Sequence, residues 1–308
     1  MLDIDTFLTA LYVRVDDFGK QSLPLVARPG PPASLSRSEV ITLAIFSQWA
    51  GFGSERGFYR WAEHHLGAAF PTLPHRSQFN RLLRHHREAI AAFALHLATR
   101  LHDRPWAYER LDTTAVPTRD AKRRGRGWLP GQADLGWSNR LGWYEGFLLM
   151  LAITPTGAIS GFGFGAASTS DLALAETFLA ARRTGPAALP TVGQPAPGPY
   201  VADRGFVGEA AHQRWRQRYG AEVINPPRRN QRRPWSKPLR RWLASLRQLI
   251  ETVNGKLHLT FRLEHERPHA LTGFQARVAA KIGLHNFCLW INQQWGRPPL
   301  AFVELIQW

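Results

Sequence analysis

The segment 199-PYVADRGFVGEA-210 decides how the second half of this chain is organised. In it, the apolar run Tyr200-Val201-Ala202 ends at a carboxylate, Asp203, and the chain then turns at Arg204-Gly205. A short apolar run bounded by a glycine turn is typical of a buried strand. A carboxylate at the end of such a strand becomes a candidate for chemistry only if other acids are arranged to meet it.

The composition of the 308-residue chain indicates a globular and strongly basic protein. Hydrophobic residues make up 44%, and the formal net charge is +16 with a sequence pI near 11.1. This balance is typical of nucleic-acid-binding domains, the alternative being a merely basic protein from an Arg-rich genome. The basic residues also cluster along the sequence, which favours nucleic acid.

Cysteine usage and the N-terminal sequence predict the compartment. The one cysteine, Cys288, excludes disulfides and cysteine-based zinc sites within one chain, and we expect it to be buried. The first residues, MLDIDTFLTALYVRVDD, are acidic where a signal peptide would be basic. No apolar run approaches the ~20 residues of a membrane span. We therefore expect a cytoplasmic, nucleoid-associated protein without membrane contacts.

Residues 1–100 predict an all-helical N-terminal domain that binds DNA. Ser36-Arg37-Ser38-Glu39 has capping-box spacing ahead of an apolar run, and further helices are predicted from about Ser54 and Ser77. A helix, the glycine turn at 51–53 and a second helix resemble a helix-turn-helix. Any small helical bundle gives the same pattern, so both interpretations stay open.

The pattern changes near residue 105 to alternating strands and helices, which predicts a mixed sheet with helices on its faces. The predicted strands cover residues 106–114, 143–154, 158–164, 200–203 and 221–225. The predicted helices begin at Ser170 and cover about 208–219, 237–258 and 270–293. The Gly- and Arg-rich segment 117–142 is predicted to be a loop, and 185–199 a linker.

Three acids in this half are arranged so that they could meet. If the strands that end near Asp112 and Asp203 are parallel neighbours, they lie about 4.8 Å apart and both acids project at the sheet edge where ligands bind. Glu251 lies at the edge of the apolar stripe of the helix 237–258, four residues after Arg247, and could deliver a third acid.

Such a cluster requires cations, because like charges ~4 Å apart repel by about 4 kcal/mol at an effective dielectric near 20. Ligation by oxygen alone favours Mg²⁺ or Mn²⁺. Two such ions would activate water at a phosphodiester and stabilise the leaving oxygen.

Each acid also has an ordinary structural explanation as a helix cap, a turn residue or an arginine partner. Strand alternation predicts that Glu109 faces away from Asp112. Asp120 and Asp134 lie beside many arginines, where ion pairing is expected. The full set of rival acids is Glu109, Asp120, Asp134, Glu209, Glu264 and Glu266.

A set of short motifs extends over nearly the whole chain. The first part contains VDDFGK, SRSEVITLAIF, GFYRW and PHRSQFNRLLR, and the middle contains LDTTAVP, WYEGFLLMLAITPTG, STSDLALAE, VADRGF and NPPRRN. The last part contains RQLIETVNGKL and GFQARVAAKIGLHN. Together these motifs resemble bacterial insertion-sequence transposases of the DDE type, most closely the IS nine-eighty-two family.

The resemblance implies an α/β protein with a ribonuclease-H-like catalytic domain. That domain would be a mixed five-stranded sheet flanked by helices over residues 101–295, between the helical domain 1–100 and a tail 296–308. The matching motifs assign Asp112, Asp203 and Glu251 as the catalytic acids. They would hold two Mg²⁺ ions, for which Mn²⁺ can substitute.

The implied activity is DNA transposition. The enzyme would cleave DNA at the terminal inverted repeats of its mobile element and join the freed 3′-hydroxyl to target DNA. A homodimer would bring two ends together in the synaptic complex. Related branches carry a tyrosine three residues before the arginine and a lysine seven residues after the glutamate. Ala244 and His258 occupy those places here, with Lys256 nearby, so the phosphate-holding lysine is not matched.

Basic residues near the three acids are the predicted DNA contacts, since Arg and Lys neutralise phosphates. Arg204 could neutralise the acids when metal is absent or hold a phosphate. The full set is Arg123, Arg124, Arg126, Arg204, Arg228, Arg229, Arg232, Arg233, Arg247 and Lys256.

Tryptophans near these basic residues could stack on unpaired bases. We expect core packing instead for Trp143 and Trp242. Both roles stay open for Trp128, Trp137 and Trp235.

Other functions remain compatible with the sequence. A metal-dependent nuclease on the same fold would cut without strand transfer. A non-catalytic or repurposed transposase would bind DNA and never cut it. A module that binds another polyanion such as RNA would leave the three acids without a role.

Overall fold

The structure is a computed structural model that describes residues 1–24, 33–49, 51–120, 128–184, 192–195, 198–226 and 236–307. The first part is helical, as predicted, with α1 (Ile4–Ser22), α2 (Arg37–Phe46), α3 (Glu55–His65), α4 (Arg76–His85) and α5 (Arg87–Arg100). None of the helices in these ranges is both long enough and apolar enough to cross a membrane.

The second part alternates strands and helices. The strands are β1 (Glu109–Asp120), β2 (Asp134–Ser138), β3 (Gly142–Ile153), β4 (Ile159–Ala166), β5 (Tyr200–Ala202) and β6 (Val223–Ile224). The helices are α6 (Asp171–Thr184), α7 (Glu209–Tyr219), α8 (Lys237–Gly255) and α9 (Leu271–Gln294), and α8 continues directly into a π-helical turn, Lys256–Thr260.

Local capping explains where the early helices begin. Ser36 caps α2 with a full capping box, because its hydroxyl accepts the Glu39 N–H and the Glu39 carboxylate accepts the Ser36 N–H. Ser54 caps α3 as predicted. The helix predicted from Ser77 begins one residue earlier, because the His75 side chain accepts the Ser77 N–H and caps the helix.

The strands form one mixed sheet flanked by helices, which confirms the predicted α/β fold class. β3 lies between β1 and β4 and is antiparallel to both, whereas β5 is parallel to β1 and β6 is parallel to β5. β3 is buried on both faces over most of its length, as its continuous apolar sequence predicted.

The described sheet has six strands, so the prediction of five strands was wrong. β1 continues to Asp120, and residues 134–138 form β2 within the segment predicted to be a loop. β2 pairs with the first residues of β3, beyond the end of β4. Gly136, one of the glycines of that segment, lets β2 lie directly against Ala167, the residue after β4. A Cβ there would lie 2.5 Å from the Ala167 carbonyl oxygen.

The helical leader and the sheet share one continuous apolar core, to which α1–α5, β1, β3, β4, α8 and α9 all contribute. Phe302, Leu305 and Ile306 from the C-terminal tail are buried in the same core, and Leu2 pairs with Ile306. The boundaries at residues 100 and 295 stay predictions, and the core is continuous across both of them. A second apolar cluster fills the space between the sheet and helices α6 and α7.

Helix α9 is the central element of the shared core. Cys288 is buried on it, as expected. Asn286 donates hydrogen bonds to the carbonyls of Ala94 on α5 and Ile159 on β4, and its side-chain oxygen accepts the Ile159 N–H. One amide therefore ties the leader to the edge of the sheet through α9.

Replacing Asn286 by Leu should lower the free energy of unfolding by about 3 kcal/mol or more, because three buried backbone groups lose their partner. Urea unfolding measures this as a lower midpoint at an unchanged m-value. Gln293→Leu, on an exposed position of the same helix, is the matched control and should shift the midpoint little. Equal small shifts in both variants would show that the Asn286 amide does not hold these elements together.

Candidate active site

Backbone pairing brings the first two predicted acids together. Leu111 on β1 pairs in parallel with Ala202, the last residue of β5. Asp112 and Asp203 are the next residues on the two strands, so the predicted parallel pairing is confirmed. Asp203 then caps a short 3-10 turn, where its carboxylate accepts the Gly205 N–H at 2.7 Å.

Asp112 differs from its prediction in one respect, because it lies inside β1 and not at the end of the strand. β1 continues for eight residues beyond Asp112, to Asp120, paired with β3 but not with β5. The short length of β5 therefore creates the sheet edge at which the Asp112 carboxylate lies.

A third acid, Asp171, lies beside this pair. It is the first residue of α6, and its carboxylate accepts a 2.7 Å hydrogen bond from the Thr113 hydroxyl. A Cβ added to Gly205 would lie 2.7 Å from one oxygen of Asp171 and 3.0 Å from one oxygen of Asp203. The sequence indicated only a helix start at Ser170-Asp171, a signal that many helices share.

The electrostatics of the three acids reflect their burial and proximity. Burial, followed by the negative charge of Asp203, raises the pKa of Asp112 to about 7. Burial also raises the pKa of Asp171, opposed by the Thr113 hydrogen bond and assisted by Asp203. Negative charge is therefore concentrated at one edge of the sheet, where a bound cation would relieve the repulsion.

Helix α8 presents Asn254, and not Glu251, to the Asp112 carboxylate. The Asn254 amide donates to Asp112 at 2.7 Å, and its own side-chain oxygen is buried without a hydrogen-bond partner among the described residues. Asn254 was missed in the sequence because an asparagine on a helix carries no pattern of its own.

Glu251 lies about one turn earlier on α8, where its side chain is 63% exposed and pairs with Arg247 at 2.9 Å. The apolar stripe predicted for this helix is correct, with Leu246, Ile250 and Val253 buried. As placed, no group of three or more His, Cys, Asp or Glu side chains within the described ranges could hold a metal ion.

His258, at the place of the lysine of related branches, is buried next to the same strand. It shares a 2.7 Å hydrogen bond with the Thr114 hydroxyl, and one nitrogen of Arg140 lies 3.3 Å from its ring. Glu264 lies 3.4 Å from the ring on the side of Nδ1. Burial, followed by Arg140, lowers the pKa of His258 to about 3, so its ring is neutral at pH 7 and cannot replace a cationic lysine.

The predicted DNA contacts fall into three groups. Arg204 and Arg247 are exposed near the acids. The Lys256 ammonium instead lies 5.6 Å from the centre of the Phe302 ring. Outside the described residues lie Arg123, Arg124, Arg126, Arg228, Arg229, Arg232 and Arg233.

Three of the six rival acids form ion pairs within the fold. Glu109 faces away from Asp112, as alternation predicted, and forms a buried ion pair with Arg182. Glu264 pairs with Arg140, and Glu266 is buried between Arg277 and Lys281. The side chain of Asp120 is outside the described part of the chain.

The expectation of core packing was wrong for Trp143, which is 62% exposed. Trp137 is also exposed. Trp128 packs edge-on against His269, and Trp242 contacts Tyr108 while remaining partly exposed. Trp235 lies outside the described residues.

The model of the family "Transposase DDE domain" matches residues 108–271, which is more than half of the chain. The chain belongs to the DDE transposase family. The matched range of this transposase begins just before β1 and ends at the first residue of α9, so it contains Asp112, Asp171, Asp203, Glu251 and Asn254. Membership of the IS nine-eighty-two group stays a prediction.

Solved structures similar to this transposase include a pre-cleavage Mos1 transpososome, at 12% identity over 88% of this chain and 85% of that chain, with a TM-score of 0.24. A Mos1 transposase paired-end complex with the left transposon end is 12% identical over 93% and 88% of the two chains, with a TM-score of 0.26. These likenesses are too distant to bear on function. No curated protein matches the chain.

Replacing Asp112 by Asn should stabilise the transposase at high pH in the presence of a chelator. The pKa of about 7 in the folded protein exceeds the ordinary value of 3.8, so the folded state retains a proton that the unfolded chain releases. The contribution of Asp112 to the free energy of unfolding therefore falls as pH rises from about 4 to 7, and the variant escapes this loss. The gain above pH 7 should reach at most about 4 kcal/mol, and it should vanish below about pH 4.

Thermal or urea unfolding across this pH range measures the difference. Asp103→Asn, at an exposed position, is the matched control and should follow the native protein at every pH. A difference between Asp112→Asn and the native protein that does not change with pH would contradict the raised pKa.

Proposed function

We propose that this transposase cleaves DNA at the terminal inverted repeats of an insertion sequence and joins the freed 3′-hydroxyl to target DNA. The observation that carries the proposal is the adjacent placement of Asp112 and Asp203 on parallel strands inside a transposase DDE domain. The net charge of +16 supports DNA as the substrate.

The site fits a hard divalent cation. Its donors are carboxylate oxygens of Asp112 and Asp203, with Asp171 and the unpaired side-chain oxygen of Asn254 beside them. Oxygen donors of this kind favour Mg²⁺, with Mn²⁺ as a substitute. In this proposal Asp112, Asp203 and Glu251 hold two Mg²⁺ ions. When bound, the ions supply an activated water and stabilise the leaving oxygen of a phosphodiester.

Glu251 becomes the third ligand only if its carboxylate leaves Arg247. The pair is exposed on both sides, and an exposed ion pair contributes at most about 1 kcal/mol. Breaking the ion pair so that Glu251 can bind a metal cation therefore costs little free energy. It also frees the guanidinium of Arg247 to contact a DNA phosphate next to the acids.

The remaining residues position the DNA. Arg204 follows Asp203 directly and is exposed, so it can neutralise a phosphate at the sheet edge. In the sequence, the basic run at 122–126 follows Asp112 and the run at 228–233 follows Asp203, and both add positive charge that attracts DNA phosphates. Synapsis of two ends requires two active sites, so we propose a homodimer as the active form, acting on DNA in the bacterial nucleoid.

A DNA-binding protein without catalysis is the second candidate function. The observation that favours it is the position of Glu251, which faces solvent with Arg247 while Asn254 contacts Asp112. Such a protein would bind the inverted repeats equally well with and without divalent metal.

Labelled DNA carrying the sequence that flanks the gene tests the proposal. With Mg²⁺, the native protein should cut at a fixed position, and Asp203→Asn should lower the cleavage rate at least about 100-fold while binding the DNA within about twofold of the native protein, because loss of one ligand removes stabilisation of the developing charge. Glu251→Gln should give the same loss. Glu209→Gln, at an exposed acid on α7, is the matched control and should cut normally.

Other outcomes of this experiment would favour other roles for the protein or for Asp203. Equal loss of cleavage and binding in Asp203→Asn would make Asp203 a structural residue. Nicks without joined products would indicate a nuclease that lacks strand transfer. Binding by the native protein without cleavage in Mg²⁺ or Mn²⁺ would favour the non-catalytic function.

A further inference from the structure

The hairpin formed by β2 and β3 carries an exposed aromatic surface that the proposed chemistry does not use. Trp137 and Trp143 lie directly opposite each other on the two strands and are 57% and 62% exposed. Leu135, two residues from Trp137 and therefore on the same face of β2, is 48% exposed. We call these three side chains the tryptophan face.

The opposite side of the hairpin is packed, so the tryptophan face is held in place. Gly136 lies against the backbone of Ala167, and Tyr144 is buried with Ala115 and Ala167. At the turn, the Leu141 N–H donates to the Ser138 hydroxyl, and Gly142 has a positive φ of 68°.

Folding stability does not account for these tryptophans. A cross-strand aromatic pair contributes at most about 1 kcal/mol, whereas water contact with so much apolar surface opposes exposure. A contiguous patch of exposed aromatic side chains is a candidate binding site. Three side chains also cover far less than the ~1,000 Å² expected of a stable interface between proteins. The exposed area of the three side chains matches the size of one or two flat rings, such as nucleic-acid bases.

An arginine lies beside the tryptophan face. Arg140 is in the turn between β2 and β3, where it pairs with Glu264 while about half of its side chain remains exposed. Aromatic rings next to basic side chains are the combination that binds single-stranded nucleic acid.

The turn of the hairpin is also close to the catalytic strand. A guanidinium nitrogen of Arg140 lies 3.3 Å from His258, and His258 shares a hydrogen bond with Thr114, two residues after Asp112. A DNA strand that reaches the acids therefore passes near the turn that joins Trp137 to Trp143.

We propose that the tryptophan face stacks unpaired bases of the DNA strand that enters the active site. The inference rests on the proposed function, because a duplex offers unpaired bases only where its end is opened for cleavage or joining. Stacking on two fixed rings would hold the opened end in place without reading its sequence.

Fluorescence anisotropy with a labelled oligothymidylate and with a blunt duplex, both in chelator, tests the proposal. The double variant Trp137→Ala/Trp143→Ala should bind the single strand about 10- to 100-fold more weakly and the duplex within about twofold of the native protein. Trp137→Phe/Trp143→Phe should retain most of the affinity for the single strand. Trp295→Ala, a 51% exposed tryptophan at the end of α9, is the matched control and should bind both DNAs normally.

Unchanged binding of the single strand by the double alanine variant would overturn the proposal, as would equal losses for single strand and duplex. A change of oligomeric state at unchanged DNA affinity would overturn it in favour of contact with a second copy of the chain. The assay needs no metal and no cleavage. Failure of the cleavage experiment therefore leaves this result independent.

Discussion

Asp112 follows Leu111 and Asp203 follows Ala202, and these two preceding residues pair on neighbouring parallel strands. Backbone pairing therefore holds the two carboxylates close together although like charges repel. The rest of the molecule holds this arrangement in place. β1 is paired on both sides up to Leu111 and on one side beyond it, which leaves Asp112 half-buried and accessible from the edge. The repulsion stored there is what a divalent cation would relieve on binding.

The helical leader takes part in holding that strand pair, although it contributes none of the acids. Helix α9 packs against the leader on one side and against β4 on the other, and Asn286 bonds to both. A buried lysine provides a second link between α9 and the leader. The Lys281 ammonium on α9 donates to Gln48, which follows α2, and lies 3.2 Å from the Glu266 carboxylate. DNA bound by the leader would therefore be positioned by the same core that positions the acids.

Sequence patterns within single helices and strands predicted much of the fold. The strand ending at Asp203, the apolar strand β3, the capping box of α2 and the apolar stripe of α8 are all predictable from local periodicity or spacing. β2 was missed because it lies in a Gly- and Arg-rich segment, and no local signal reports that Gly136 lies against Ala167.

The details of the site depend on how separate elements are rotated relative to each other. Asp171 and Asn254 reach Asp112 and Asp203 from two different helices, and nothing in the sequence fixes the angle at which those helices approach. The same limitation applies to Trp143, whose exposure depends on which other elements pack against its face of the hairpin.

The π-helical turn after α8 changes which residues share a face of the helix at a given spacing in the sequence. Seven residues span about two turns of an α-helix, so positions seven apart share a face. An i→i+5 turn takes up roughly one residue more than an α-turn, and one lies between Gly255 and Phe261. The sequence of a relative with an uninterrupted α-helix in this region would align with this chain only with a one-residue gap. Residues at the same distance from the glutamate in the two sequences would then lie on different faces of the helix. Deleting one residue from 256–260 could be absorbed by conversion to an α-turn, whereas a deletion within α8 would rotate the helix before the deleted position by about 100° relative to the helix after it.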